Sequence, residues 1–109
     1  MSGKIVAFTT CASEQEAETI ARRLLESRVA ACVSIVRQVR SLYHWQGAIQ
    51  DDTECLLIIK SVESLSEPLQ AGLRAIHSYE TPELVILPVS GGLPDYLAWI
   101  DRELGETQA

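Results

Sequence analysis

Val29-Ala30-Ala31-Cys32-Val33-Ser34-Ile35-Val36-Arg37-Gln38-Val39-Arg40-Ser41-Leu42-Tyr43-His44-Trp45 is the stretch on which the fold turns. Read at period two, it sends Val33, Ile35, Val39, Tyr43 and Trp45 to one side. Ser34, Gln38, Arg40, His44 and Gln46 fall mostly on the other, which is the alternation of a β-strand and not the rhythm of a helix. The strand is unusually long. Arg37 and Ser41 interrupt its apolar side, so a bulge or bend is expected near Arg37-Gln38. Gly47 followed by Asp51-Asp52 supplies turn chemistry. Cys55-Leu56-Leu57-Ile58-Ile59 is then apolar without alternation, the pattern of a strand covered on both faces. A hairpin therefore feeds a central strand.

Upstream, Lys4 to Thr10 reads as a strand, and Ser13 with Glu16 fits a capping box, Ser accepting from an orphan amide and Glu reciprocating. Ala17, Ile20, Ala21, Leu24, Leu25 and Arg28 continue as a helical stripe, with early Glu14, Glu16 and Glu18 and late Arg22, Arg23 and Arg28 suiting the helix dipole. Downstream, Ser64 with Glu67 predicts a second capped helix with a stripe of Leu65, Leu69, Leu73 and Ile76, Pro68 in its first turn and its end near His77. Leu84-Val85-Ile86-Leu87 reads as another buried strand, Gly91-Gly92 as a turn, and Pro94 to Leu104 as a final helix stopped by Gly105. The order β, α, β, β, α, β plus a terminal helix predicts an α+β, ferredoxin-like sandwich, an antiparallel sheet with two helices on one face and a long bent hairpin. An overhanging hairpin with Tyr43 and Trp45 leaves backbone edge and apolar surface uncovered, so assembly by sheet extension is expected.

The 109 residues suit one modest core, so a single domain over residues 1–109 is expected. A net charge of −6 without a basic cluster argues against nucleic acid and anionic membranes as partners. No apolar run reaches membrane-spanning length and the first residues read as a strand, which points to the cytoplasm. Cys11, Cys32 and Cys55 are odd in number and far apart, neither a disulfide framework nor a CxxC motif, so reduced thiols are expected.

The segment His77-Ser78-Tyr79-Glu80-Thr81-Pro82-Glu83 is chemically the richest. It puts an imidazole, a phenol and carboxylates on a connection between helix and strand, suited to metal ligation or proton transfer, or simply to closing a helix end with Tyr79 packed as a lid. Cys32, at a helix-to-strand junction, is either a soft thiolate ligand for copper or core filler. Cys55 reads as packing, and Cys11 lies near a helix N-terminus without a neighbouring base. Asp51, Asp52 and Glu54 would attract a cation, although turns commonly carry solvated carboxylates. GxSxG, P-loop, HExxH and GxGxxG are all absent, so a binding or regulatory protein is expected in place of an enzyme.

Several segments together resemble the CutA divalent-cation tolerance family. They are Thr9-Thr10, Ala30 to Val36, Ser41-Leu42-Tyr43-His44-Trp45-Gln46-Gly47, Glu54 to Lys60, His77 to Glu83, and Pro94-Asp95-Tyr96-Leu97-Ala98-Trp99-Ile100. The resemblance implies a homotrimer similar to the PII-type nitrogen regulators, linked to tolerance of copper and other divalent cations, with a cleft between subunits. It implies Cys32, Tyr43, Trp45, Gly47, Lys60, His77, Tyr79 and Glu80 as cleft residues, with Pro82, Glu83, Tyr96 and Trp99 shaping the walls. His77 and Cys32 would be the metal ligands, and a protein partner is the other expectation. Some positions depart from the family pattern. Ser34-Ile35-Val36-Arg37-Gln38 stands where the family usually has Asn-Ile-Val-Pro-Gly, Ala48 replaces a basic residue, and Ser78 a proline. Thr9 and Ile76 stand where some members carry a cysteine and the first of two histidines.

Overall fold

A computed structural model describes residues 2–105, so residue 1 and residues 106–109 of the expected domain lie outside the described residues. The elements in order are β1 (Lys4–Cys11), α1 (Glu14–Glu26), β2 (Cys32–Trp45), β3 (Ala48–Val62), a single 3-10 turn (Glu63–Leu65), α2 (Ser66–Ile76), β4 (Val85–Pro88) and α3 (Pro94–Glu103). The strands form one antiparallel sheet in the order β2-β3-β1-β4. This is the expected ferredoxin-like arrangement.

Alternation along β1 buries Ile5, Ala7, Thr9 and Cys11 toward the helices, opposite Ser61, Ile59, Leu57 and Cys55 of β3. Ala17, Ile20, Ala21 and Leu24 of α1 and Leu69 and Leu73 of α2 complete that core. Each fully buried Leu or Ile contributes roughly 1.5–3 kcal/mol. Lys4 at the start of β1 meets Asp101 of α3 at 2.8 Å, with side chains only 11% and 10% exposed, which fastens the last helix to the sheet.

Several boundaries differ from expectation. β3 begins at Ala48, directly after a two-residue turn in which Gln46 and Gly47 both have positive φ (52° and 81°), the backbone of a type I′ hairpin. Asp51 and Asp52 therefore lie inside β3 instead of in a turn. Ser13 does accept from the Glu16 amide, but the Glu16 carboxylate turns to Ser78, so only half of the capping box forms. Helix α1 ends at Glu26, leaving Arg28 beyond it in the left-handed region (φ 61°), and Leu25 is exposed. Helix α2 begins at Ser66 with Leu65 at its N-cap position and no side-chain cap bond from that residue, and Ser64, expected to open the helix, lies in the preceding 3-10 turn. Gly105 (φ 71°) follows the last helix as expected.

The predicted bulge is present, with consequences for the whole hairpin. The β2–β3 register runs Val36↔Leu56 and then Val39↔Glu54, so Arg37 and Gln38 together face a single residue, and Gln38 takes φ 60°. The extra residue reverses the parity of the strand. Val33 and Ile35 lie opposite Ile59 and Leu57 on the helix face, whereas Val39, Ser41, Tyr43 and Trp45 lie opposite Glu54, Asp52, Gln50 and Ala48 on the other face. The single apolar side expected from Val33 to Trp45 is thus split between two faces.

Beyond Cys55 toward the turn, β3 pairs with β2 alone, and this arm projects from the sheet. The chain measures 49 × 25 × 22 Å with a radius of gyration of 14.7 Å, against about 13 Å for a compact chain of this length. The sheet face away from α1 and α2 carries Val6, Phe8, Val36, Leu56, Ile58, Val85 and Leu87, and α3 meets it at the Lys4 end, where Asp101 pairs with Lys4. β3 is therefore covered fully on one face only, and β4, expected to be buried, is an edge strand whose Val85 and Leu87 are 49% and 47% exposed.

Candidate functional site

A cavity of about 690 Å³ opens at the root of the arm. β1 contributes Thr10, the arm contributes Arg40, Ser41, Leu42, Tyr43, Trp45 and Glu54, and the loop after α2 contributes Tyr79, Glu80, Thr81 and Glu83.

That loop is held from behind. The His77 side chain is fully buried, its Nε2 lies 2.8 Å from the Thr10 carbonyl oxygen and its Nδ1 3.1 Å from the Tyr79 amide. A carbonyl only accepts and an amide only donates, so these bonds assign the neutral, Nε2-protonated tautomer. The Ser78 amide and hydroxyl donate to the two Glu16 carboxylate oxygens at 2.9 and 3.0 Å, tying the loop to the first turn of α1. Burial opposes ionisation of Glu16, but the Ser78 donors, together with His77 and the Ala12 amide, outweigh it and hold its pKa below the ordinary carboxylate value.

Tyr79 packs on His77 with ring centroids 4.7 Å apart and donates its hydroxyl to Glu54 Oε2 at 2.7 Å. Burial, and then the Glu54 carboxylate, push the Tyr79 pKa well above its usual value, so the phenol remains a donor at neutral pH. Tyr43 donates to Asp52, and that bond raises its pKa as well. Glu54 is only 6% exposed and has no cationic partner among the described residues. The guanidinium nearest to it in the lining, Arg40, is committed to Asp51 through bonds of 2.9 and 2.6 Å. Glu54, Glu80 and Glu83 thus give the cavity negative charge, and Tyr43, Trp45 and Tyr79 give it aromatic walls, a combination suited to a cation.

The structure brings together Tyr43, Trp45, Tyr79, Glu80 and Glu83 of the expected cleft, with His77 behind them. It does not bring Cys32 and Lys60 to them. These two face each other across the β2–β3 ladder, on the same sheet face as Glu54 but roughly 20 Å further along β3. There Lys60 Nζ lies 3.9 Å from Cys32 Sγ and 3.4 Å from Ser34 Oγ. Tyr96 and Trp99 stack on α3 at 5.7 Å and line a separate hollow with Leu93, Pro94 and Asp95. The expected metal pair is not assembled within one chain. His77 has both ring nitrogens engaged beside Thr10, whereas Cys32 sits at Lys60, and no group of three or more His, Cys, Asp or Glu with metal-holding geometry exists among the described residues.

Sequence reading passed over Thr10 and Ser41, and it grouped Glu54 with solvated turn acids. Once β3 is started at Ala48, period two sets Gln50, Asp52 and Glu54 on one face, and the inward carboxylate becomes legible.

The family model for the CutA1 divalent ion tolerance protein matches residues 5–103. Protein CutA of Mus musculus is 45% identical over 96 residues, covering 88% of this chain and 54% of its own, so the chain spans about half the length of that relative. The divalent-cation tolerance protein CutA of Pectobacterium atrosepticum is 42% identical over 100 residues, covering 92% of this chain and 91% of its own. Among solved structures, CutA from Xylella fastidiosa superposes with a TM-score of 0.91 at 38% identity, covering 94% of this chain and 98% of that one. With fold, segment order and sequence in agreement, the chain belongs to the CutA1 divalent ion tolerance protein family.

Proposed function

We propose that this chain is a non-enzymatic, cytoplasmic homotrimer of the response to divalent metal ions, copper among them, and that it binds a cation or small ligand in a cleft shared between subunits. The family supports the metal-ion role. The observation that carries the shared cleft is the division of its expected residues. Tyr43, Trp45, Tyr79, Glu80 and Glu83 gather at one end of the open sheet face and Lys60 and Cys32 at the other, so one chain cannot unite them but two neighbours can. Stacking the open faces of three copies would bury Val85, Leu87 and their apolar neighbours, and would set Lys60 of one copy, which has no carboxylate partner among the described residues, against the carboxylates of the next. Three free cysteines fit a reducing compartment.

Light scattering of the purified chain tests the assembly, with three times the chain mass expected at micromolar concentration and a monomer overturning the shared cleft. Copper titration with metal analysis tests the cation. Saturable binding weakened at least tenfold by Glu54→Gln or Cys32→Ser supports it, and binding indifferent to both variants removes this site.

A second reading draws on His77, whose two nitrogens are spent on backbone. In that reading the trimer is a PII-like signalling or scaffolding body whose cleft takes a small molecule, or whose surface anchors a protein, without metal. One stoichiometric partner retained by metal-stripped trimer would favour it.

A further inference from the structure

The sequence spacing of the cysteines hides a pair. Cys11, the last residue of β1, lies directly opposite Cys55 in the β1–β3 ladder, and both are buried on the helix face. The Glu63 amide donates to the Gly3 carbonyl at 2.8 Å, so odd-numbered residues of β1 occupy the positions that exchange both backbone bonds with β3. Cys11 is one of them. Residues so paired have Cα atoms about 5.5 Å apart, within the span of a disulfide, and Cβ atoms also about 5.5 Å apart, so closing the bond draws the two strands' Cβ atoms together by about 1 Å at this end rung. Both thiols are free, and Cys11 Sγ donates weakly to the Ser13 carbonyl at 3.5 Å. Cys32 is on the opposite sheet face, paired with Lys60.

We propose that Cys11 and Cys55 are a reversible oxidation site, closing into a cross-strand disulfide on reaction with a low-molecular-weight disulfide such as oxidised glutathione. One protein thiolate attacks the small disulfide, forming a mixed disulfide and releasing one small thiolate. The second protein thiolate then attacks the protein sulfur of that mixed disulfide and expels the other. Two protein thiols are oxidised, one small disulfide is reduced to two thiols, and the two protons pass to the released thiolates.

The location gives the bond a role. The pair is the final rung of the β1–β3 ladder, and past it toward the turn β3 pairs only with β2 as the free arm. Thr10, the residue before Cys11, holds His77 through its carbonyl oxygen. A bond at this rung fastens the root of the arm from the helix side, while the cavity lies on the other face. Burial pushes the Cys11 thiol up to about 11, so exchange at neutral pH waits for the end rung to open.

The test uses the full chain carrying Cys32→Ser, incubated with oxidised glutathione at mildly alkaline pH, acid-quenched, unfolded and treated with N-ethylmaleimide. In a parallel arm the reduced, unfolded chain refolds in the same glutathione mixture. The expected product is lighter by two hydrogens, takes up no maleimide, yields one peptide joining the two cysteines, melts higher than the reduced chain, and regains two alkylation sites after dithiothreitol. Natively folded protein bearing only glutathione adducts, or two fully alkylated thiols, in both arms overturns the proposal.

Discussion

Thr9 is buried on the helix face opposite Leu57, and its hydroxyl is the buried side-chain oxygen without a hydrogen-bond partner among the described residues. An unsatisfied buried hydroxyl costs about 1–3 kcal/mol, so Thr9→Val, which keeps the shape, is expected to raise unfolding stability by about 1 kcal/mol in urea titration. Gln38 sits at φ 60°, where a residue with a Cβ is disfavoured by roughly 1–2 kcal/mol. Gln38→Gly relieves that at some cost in unfolded-chain entropy, for an expected gain of about 0.5 kcal/mol. Glu16 acts through charge. Its pKa in the folded chain lies below the ordinary 4.5, so its carboxylate contributes stability that is complete above that value and is lost as pH falls through the lowered one. Glu16→Gln should therefore lower the denaturation midpoint at pH 7 and flatten its decline in acid, a slope read from melts between pH 7 and pH 3.

At the scale of elements, the hairpin arm depends on its two-residue turn. Both turn residues have positive φ, a geometry that Asn-Gly meets better than Gln-Gly. Gln46→Asn is expected to stabilise the chain by about 0.5 kcal/mol, and Gly47→Val to destabilise it by more than 1 kcal/mol, both measurable by thermal melts. The sequence showed the order of elements because most helices and strands here repeat their own period, as in Ala17, Ile20, Ala21 and Leu24 or in Ile5, Ala7 and Thr9. It pointed to the bulge through the break at Arg37 but not to the reversal of faces, since parity depends on how many residues are skipped, which only the partner strand reveals. Tyr43, Trp45, Tyr79, Glu80 and Glu83 were legible as site residues. Glu54 was legible only as one of a group of turn acids because β3 starts well before its apolar run, and the fixing of the loop by Ser78 and Glu16 was hidden because those residues lie 62 positions apart.

For the whole molecule, the uncovered sheet face makes a solution measurement decisive. Leu87→Glu places a charge among the apolar residues of that face without entering the helix-side core, and should convert the proposed trimer to smaller species in light scattering while leaving the far-ultraviolet dichroism of the chain intact. The arm has a further consequence for how the chain reaches its fold. Its rungs join residues close in sequence, Trp45 to Ala48 at one end and Val39 to Glu54 at the bulge, whereas β1 must find β3 and β4 from the far side of α1. Closing short loops first costs the least entropy, so the arm is expected to form ahead of the sheet that carries it, with β1 joining β3 later and bringing in β4, which pairs with β1 alone. Substitutions in the Gln46-Gly47 turn should then change the refolding rate, and substitutions in β1 chiefly the unfolding rate.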